Sequence, residues 1–402
     1  MPRAFDASLR HAVCFYNILL AINGAYLKGG PASLNALAQF DLNWENAQRG
    51  QAWAANHTHR HELAAHVCRR ISALEILDLR QPSDERIQWL QAGFAASEIL
   101  KDTSGKADML AKLGVAQAKK GSLDAAIAYY EKALNIYIET SDRLGESNQL
   151  GNLGMAYAAK GQVSKAIEYY EQALAIDREI GDRRGEGIDL GNLGNAFFYL
   201  GDYEKALRYN QQHAEIASEI GDLQGEGEAV GSIGIVYDAL GDSQHALEHH
   251  TQYLSMAQRI GDQRGQATAL GNIGASFERL GDYDQALAQY AQQLNLAREI
   301  QDLRREAGAA GGIGNVYREK GQIPQAMDQY QHQLRLARAS GDNRLIGTAL
   351  YNRALCHGLQ GEISQAIALA EESLQALEQV EGTLPGMIRE NLEKWKAEFR
   401  PD

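Results

Sequence analysis

A polar residue recurs every forty residues along most of this chain, at a position that is Asn in four of the intervals. In chain order the position holds Lys112, Asn152, Asn192, Ser232, Asn272, Gly312 and Asn352. An Asn amide carries a donor and an acceptor, so one side chain can satisfy the N–H and the C=O of an extended peptide together. Asn is only a middling helix former, and its repetition inside helical segments needs a reason beyond ordinary polarity of an exposed helix face. The spacing therefore predicts a ladder of main-chain contacts, with ordinary surface polarity as the alternative.

Glycine and aspartate keep the same interval and mark the ends of the segments that carry the ladder. The glycines are Gly121, Gly161, Gly201, Gly241, Gly281, Gly321 and Gly361, and the aspartates are Asp142, Asp182, Asp222, Asp262, Asp302 and Asp342. Between them, apolar residues spaced by three and four predict two amphipathic helices in each interval. Gly181 is expected to take a left-handed C-cap and Asp182 to cap the next helix. A fixed interval of this length predicts stacked helix pairs and a function in binding.

Small and aromatic residues keep the same interval and predict how the helices pack. The small position is Ala126, Ala166, Ala206, Ala246, Ala286, Ala326 and Ala366. Aromatic core positions include Tyr130, Tyr170, Tyr290 and Tyr330. Two glycines also stand in each first helix, as in Gly151 and Gly154, and each costs about 1 kcal/mol against Ala. They predict close backbone contact with the preceding unit.

These residues resemble the tetratricopeptide repeat, whose small and large positions are matched at Leu153, Gly154, Tyr157, Ala166, Tyr170 and Ala173. The forty-residue unit, with Gly-Asp-Arg at residues 181–183, is similar to the longer variant of Leu-Gly-Asn-repeat scaffolds of the Pins type and of bacterial signalling proteins. The resemblance implies an all-α, right-handed superhelix that binds a protein or peptide in its concave groove. It implies no enzymatic activity and no cofactor.

In the resembled family, the recurring polar position lines the groove and holds the bound peptide. The resemblance carries this role to Lys112, Asn152, Asn192, Asn272 and Asn352, with Ser232 and Gly312 interrupting the ladder. One turn further along, Asn195 and Asn315 repeat the pattern, and Arg279 adds positive charge. The interruptions predict a groove divided into two clamps.

The two ends of the chain depart from the regular interval. Residues 1–64 are predicted to be a helical N-terminal region, residues 65–104 a degenerate repeat, residues 105–384 seven repeats and residues 385–402 a capping helix. The last helix is predicted to bury Ile388, Leu392, Trp395 and Phe399.

Trp44, Glu45, Asn46 and Trp53 resemble the helical segment after the ATPase module of bacterial STAND (NB-ARC) regulators. Residues 104–107 lack the first glycine and the hydroxyl of a phosphate-binding loop, and no such loop occurs elsewhere in the sequence. The alternative function is therefore a regulatory or sensor subunit, or a fragment, that controls a partner STAND-type ATPase or another effector enzyme.

Composition narrows the classes of partner. The formal net charge of −13 over 402 residues disfavours nucleic-acid binding. No apolar run is long enough for a membrane span. Three widely spaced cysteines and the absence of a cleavage-site pattern after residues 12–27 predict a cytoplasmic protein.

Histidine and cysteine pairs offer no convincing chemistry. His57, His59 and His61 alternate within a helical pattern, so their side chains are expected to diverge and not to share a metal. His245 and His249 lie four residues apart, without a convergent carboxylate. His250 replaces a core Tyr, and the neighbours Cys356 and His357 occupy packing positions. Neither a metal site nor a catalytic site is predicted.

Overall fold

The computed structural model describes residues 2–27, 30–378 and 383–398, and throughout these ranges the chain forms α-helices joined by short connections, without strands. The helices are α1 (Pro2–Tyr26), α2 (Gly30–Asn56), α3 (Glu62–Ser72), α4 (Leu77–Arg80), α5 (Ser83–Ile99), α6 (Thr103–Lys119), α7 (Leu123–Glu139), α8 (Arg143–Ala159), α9 (Val163–Ile180), α10 (Arg183–Leu200), α11 (Tyr203–Ile220), α12 (Leu223–Ala239), α13 (Ser243–Ile260), α14 (Gln263–Leu280), α15 (Tyr283–Glu299), α16 (Leu303–Glu319), α17 (Ile323–Ser340), α18 (Asn343–Leu359), α19 (Ile363–Ala376) and α20 (Thr383–Glu398). The chain divides into two compact units, Met1–Ala156 and Tyr157–Asp402.

Unit 1 combines irregular helices with the start of the regular array. Helix α1 packs on α2, and α3 packs on α5. Phe40, Ile71 and Leu77 are buried in their common core. The buried guanidinium of Arg86 donates to Asp78 Oδ1 at 2.7 Å and to the carbonyl of Ser72 at 2.8 Å, which anchors α5 beside the short α4. Helices α5, α6 and α7 then pack in sequence.

Unit 2 is a regular stack of helix pairs. From α10 onwards, each first helix packs on the second helix of its own repeat, as α10 does on α11, and each second helix packs on the next first helix. None of the helices in the described ranges combines the length and apolar character that a membrane span requires.

The predicted turn and cap chemistry is confirmed. Gly181 ends α9 with φ of 74°, in the left-handed region that glycine adopts without strain. The Asp182 carboxylate accepts hydrogen bonds from the backbone N–H groups of Arg184 and Gly185, both at 3.1 Å. These local signals place the helix ends where the sequence predicts them.

The small recurring Ala is fully buried in all seven repeats, as predicted. The prediction that the paired glycines make close backbone contact with the preceding unit was wrong. The atoms nearest to a Cβ placed on Gly191, Gly231 or Gly311 belong to side chains of the second helix of the same repeat, not to backbone of the preceding repeat. In the first helices these glycines therefore make room for large side chains.

Helix α20 covers the last repeat. Ile388 and Leu392 are buried in a cluster with Tyr351 and Leu377, and Trp395 packs against it. Lys394, Lys396 and Glu398 are exposed, as expected for the outer face of a cap. The predicted contribution of Phe399 lies outside the described residues. The division of the chain into the four predicted segments remains a prediction.

Candidate functional site

The first helices of unit 2 form one continuous layer, which we call the first-helix face: α10, α12, α14, α16 and α18. Each of these helices contacts the next first helix directly, and the second helices pack behind them. The predicted ladder positions Asn192, Ser232, Asn272 and Asn352 are all half-buried on this face. The face therefore presents partly accessible amides from a rigid layer of helices.

Glycines in the first helices leave space for side chains of the second helices to reach the first-helix face. A Cβ on Gly191 would lie 2.7 Å from Nδ1 of His213, and a Cβ on Gly311 would lie 2.6 Å from Nε2 of Gln333. Gln293 fills the same place beside Gly271. Because real Cβ atoms do not approach so closely, only glycine lets these polar groups reach the first-helix face.

One polar cavity, the Asn210 cavity, lies between α10, α11 and α12 and has a volume of about 290 Å³. Its lining includes the predicted residues Asn192, Asn195 and Ser232, together with Asn210 and His213. Burial lowers the pKa of the His213 imidazole, against an opposing effect of the Asp222 charge, so His213 is neutral at neutral pH.

A second cavity, the Gln333 cavity, lies further along the same face and has a volume of about 560 Å³. It brings together Asn272, Asn315 and Asn352 with Gln293 and Gln333. Asn315 Oδ1 accepts hydrogen bonds from the Tyr330 hydroxyl at 2.8 Å and from Asn352 Nδ2 at 3.4 Å, which fixes its orientation.

Three buried polar atoms around the Gln333 cavity have no hydrogen-bond partner among the described residues. They are the donor Asn272 Nδ2 and the acceptors Gln293 Oε1 and Gln333 Oε1. Gln293 is 7% exposed and Gln333 3% exposed. A buried polar atom without a partner costs about 1–3 kcal/mol, so this cavity is suited to a ligand that offers both donors and acceptors.

The structure brings together only part of the predicted site. Arg279 does not line either cavity but lies 3.3 Å from the buried carboxylate of Asp238, which offsets its charge. In unit 1, the Lys112 ammonium lies 3.7 Å from Glu75, and Asn152 Nδ2 donates to Gln149 at 3.4 Å.

Sequence reasoning missed Gln293, Gln333, Asn210 and His213, which form the floors of the two cavities. A signal was present, because the position of Gln293 and Gln333 is Ala in the first two repeats, at Ala133 and Ala173. A small buried position that becomes large and polar in later repeats indicates a local change of function.

The histidine and cysteine pairs make ordinary structural contacts. His245 Nδ1 lies 2.6 Å from Asp242 Oδ2, whereas His249 stacks on Tyr237 with ring centroids 5.4 Å apart. Cys356 is fully buried, and His357 lies 2.6 Å from Glu362. Over the described residues, no three His, Cys, Asp or Glu side chains are grouped to hold a metal ion.

Solved structures with the same fold cover nearly the whole chain. A Rap protein complexed with competence and sporulation factor matches with a TM-score of 0.61 and 15% identity, over 96% of this chain and 99% of that one. The apo quorum sensor NprR from B. thuringiensis matches with a TM-score of 0.60 and 13% identity, over 86% and 96%. At these identities the likeness shows the fold alone.

A STAND protein with a tetratricopeptide repeat sensor, from Pyrococcus horikoshii, matches with a TM-score of 0.52 and 15% identity. The match covers 95% of this chain and 65% of that one. No curated protein matches the sequence.

A family model of the tetratricopeptide repeat matches residues 106–179, 188–259, 265–332 and 305–379. These stretches cover more than half of the chain and coincide with helices α6 to α19. The chain therefore belongs to the tetratricopeptide repeat family and has its all-α fold of helix pairs.

Proposed function

We propose that the first-helix face of unit 2 binds an extended peptide or protein segment through the main chain of that segment. The observation that carries the proposal is the set of unpartnered buried atoms around the Gln333 cavity: Asn272 Nδ2, Gln293 Oε1 and Gln333 Oε1. A peptide main chain offers C=O groups to the donor and N–H groups to the two acceptors. A ligand with this alternation offers a partner of the right kind to each of the three atoms.

The arrangement is pre-organised for this role. Gln293 and Gln333 are held at the same position of successive second helices, each beside a glycine of the first helix in front. Neighbouring helix pairs pack at roughly 10 Å, and an extended peptide advances about 3.3 Å per residue, so successive repeats meet every third peptide residue. Contacts to the main chain then hold the segment without reading its side chains.

Family membership supports a protein-interaction or sensor role. One solved structure with this fold holds competence and sporulation factor, and another belongs to a quorum sensor. These proteins differ in sequence from this chain, so the proposal depends on the unpartnered atoms, with the relatives as support for the class of ligand.

The test uses the double variant Gln293→Met, Gln333→Met, which keeps side-chain length and removes both acceptors. Peptides are selected on the native protein from a displayed library of random ten-residue sequences, and binding is measured by calorimetric titration. We expect the double variant to bind these peptides at least about 30-fold more weakly, because each of the two lost contacts contributes about 1–3 kcal/mol. Its melting temperature should stay equal or rise, since the native amides are buried without full partners.

The matched control is Gln292→Met, Gln331→Met, which makes the same change at exposed positions of α15 and α17. This control should bind like the native protein. Failure of the library to yield any binder, or equal binding by the two double variants, would contradict the proposed function.

A further inference from the structure

The third repeat lacks the core tyrosine that four other repeats carry at the same position. In chain order this second-helix position is Tyr130, Tyr170, Asn210, His250, Tyr290, Tyr330 and Ala370. The Asn210 side chain is 1% exposed, and its Nδ2 donates to the carbonyl of Ala206 at 2.9 Å. The Asn210 amide packs beside Gly194, and it is smaller than the phenol ring that this position carries in other repeats.

Tyr330 shows how the complete arrangement looks. Its ring is fully buried beside Gly314, where a Cβ would lie 2.6 Å from the ring. Its hydroxyl donates to Asn315 Oδ1 at 2.8 Å. In the sixth repeat the tyrosine therefore packs its ring against a glycine and donates its hydroxyl to the amide oxygen of the next residue, Asn315.

The third repeat keeps the glycine and the acceptor although it has lost the ring. Gly194 and Asn195 stand where the sixth repeat has Gly314 and Asn315. The hydrogen bond that the structure gives Asn195 Oδ1 is a long one, 3.4 Å from Ser232 Oγ. Asn210 Oδ1 is buried and finds no partner within the described chain. Asn195 and Asn210, which carry these two acceptors, both line the Asn210 cavity.

We infer that the Asn210 cavity is a specificity pocket for a phenol ring, supplied by a tyrosine of the bound segment, whose hydroxyl donates to Asn195 as Tyr330 donates to Asn315. That the ring comes from a tyrosine of a bound segment rests on the proposed function. That a phenol fits the cavity does not depend on that function. The cavity of about 290 Å³ has room for a ring, since a cavity of roughly 150 Å³ holds benzene.

The charged residues around the cavity indicate which other ligand could compete with a phenol, namely a cation. Asp222 and Glu228 line it together with Arg184. The Asp222 carboxylate already accepts from the Gly225 N–H at 3.0 Å, and Glu228 accepts from Gln224 at 3.1 Å. A lysine-like cation would use these carboxylates, whereas a phenol donates its one hydroxyl proton to the Asn195 amide oxygen, so the two occupants are separable by experiment.

The test titrates the native protein with p-cresol, the side chain of tyrosine, and with toluene and n-butylammonium, followed by ligand-detected NMR. We expect p-cresol to bind at one site and toluene at least about tenfold more weakly, because a site built for a hydroxyl rejects the analogue without it. Asn210→Tyr, which places the ring covalently, should abolish p-cresol binding. Absence of p-cresol binding, equal binding by Asn210→Tyr, or tighter binding of n-butylammonium would overturn the inference.

Tyr330→Asn provides the converse test, since it recreates the Asn210 arrangement beside Asn315. Circular dichroism checks its folding, and a folded variant should bind two p-cresol molecules. A folded variant that binds one molecule would contradict the comparison of the two repeats. If the variant does not fold, the native protein and Asn210→Tyr still decide the outcome.

Selected peptides separate this inference from the proposed function. Peptides selected on the native protein should carry tyrosine at a fixed position, and those selected on Asn210→Tyr should not. Peptides that bind without a preferred tyrosine would contradict the pocket and leave the proposed function standing. If p-cresol binds but no peptide can be selected, the proposed function is contradicted and the phenol pocket stands.

Discussion

A single second-helix position changes the side chain that reaches the first-helix face in the third to sixth repeats. The position holds His213, Tyr253, Gln293 and Gln333 in successive repeats, each packed against a glycine of the first helix in front. The glycine is constant, whereas the side chain that it admits changes from ring to amide. The scaffold therefore stays regular while the polar groups on its face vary from repeat to repeat.

Asp189 is a buried carboxyl whose protonation should control stability. Its side chain is 4% exposed, and burial, together with the nearby charges of Asp177 and Asp182, raises its pKa from 3.8 to about 8. Between these two pH values the folded protein holds a proton that the unfolded chain releases. The free energy of unfolding should therefore fall as pH rises from about 4 to about 8.

We predict that Asp189→Asn removes this dependence and raises the free energy of unfolding at about pH 9 by at least about 1 kcal/mol, since one pKa unit corresponds to about 1.4 kcal/mol. Urea unfolding over a pH series measures the effect. Asp238→Asn is the opposing control: despite burial, hydrogen bonds from His250, Ser276 and Ser243 lower the pKa of Asp238, so its charged form stabilises the fold. At neutral pH, a lower free energy of unfolding for Asp189→Asn or a higher one for Asp238→Asn would contradict this account.

At the scale of the helix, the capping aspartates are not equivalent although the sequence repeats them. Asp142 Oδ1 accepts from the Gly145 N–H at 2.9 Å at the start of α8. Asp262 stands at the same place before α14 without a side-chain cap hydrogen bond. We predict that Asp142→Ala lowers the free energy of unfolding by about 0.5–2 kcal/mol and that Asp262→Ala costs less. Thermal unfolding of the two variants gives the comparison, and an equal loss in both would refute it.

The helices could be predicted from the sequence because the signals that fix them are local. Gly181 and Asp182 act on residues within one turn of themselves, so the turn and the cap could be recognised without knowledge of the tertiary structure. The buried Ala of each repeat could be predicted for a similar reason, since a helical stripe of apolar residues identifies its own buried face. The same argument predicted Ile388 and Leu392 as the buried residues of α20.

The candidate site could be predicted only in part, because its contacts join different helices. The recurring Asn indicated the first-helix face, yet the contacts of Asn315 with Tyr330 and of Gly311 with Gln333 could not be predicted from spacing. Arg279 was predicted to add charge to the groove, but its pairing with Asp238 depends on packing across two repeats. Spacing along the chain identifies which residues share a face, whereas partners across helices require the structure.

At the scale of the whole molecule, both candidate cavities belong to unit 2. The Asn210 cavity is built from α10, α11 and α12, and the Gln333 cavity from α14 to α18. The alternative role, a sensor that controls a STAND-type ATPase, also stays a prediction. Helix α20 covers the last repeat at the end of this unit, so weakening its contact tests how far destabilisation spreads along the stack.

Substitution of Ile388 tests whether weakening the contact of α20 destabilises the whole of unit 2 or only its end. The side chain is fully buried against the last repeat, whereas the neighbouring Met387 is 56% exposed. Removal of a buried aliphatic side chain costs about 2–5 kcal/mol, so Ile388→Ala should strongly destabilise the contact of α20 with α19, and Met387→Ala should not. Because repeats contact only their neighbours, hydrogen exchange should accelerate in α18, α19 and α20, with little change in α10 to α12. Uniform acceleration across unit 2 would mean that the stack unfolds as one cooperative body, and unchanged exchange in α19 would mean that α20 does not act as a cap.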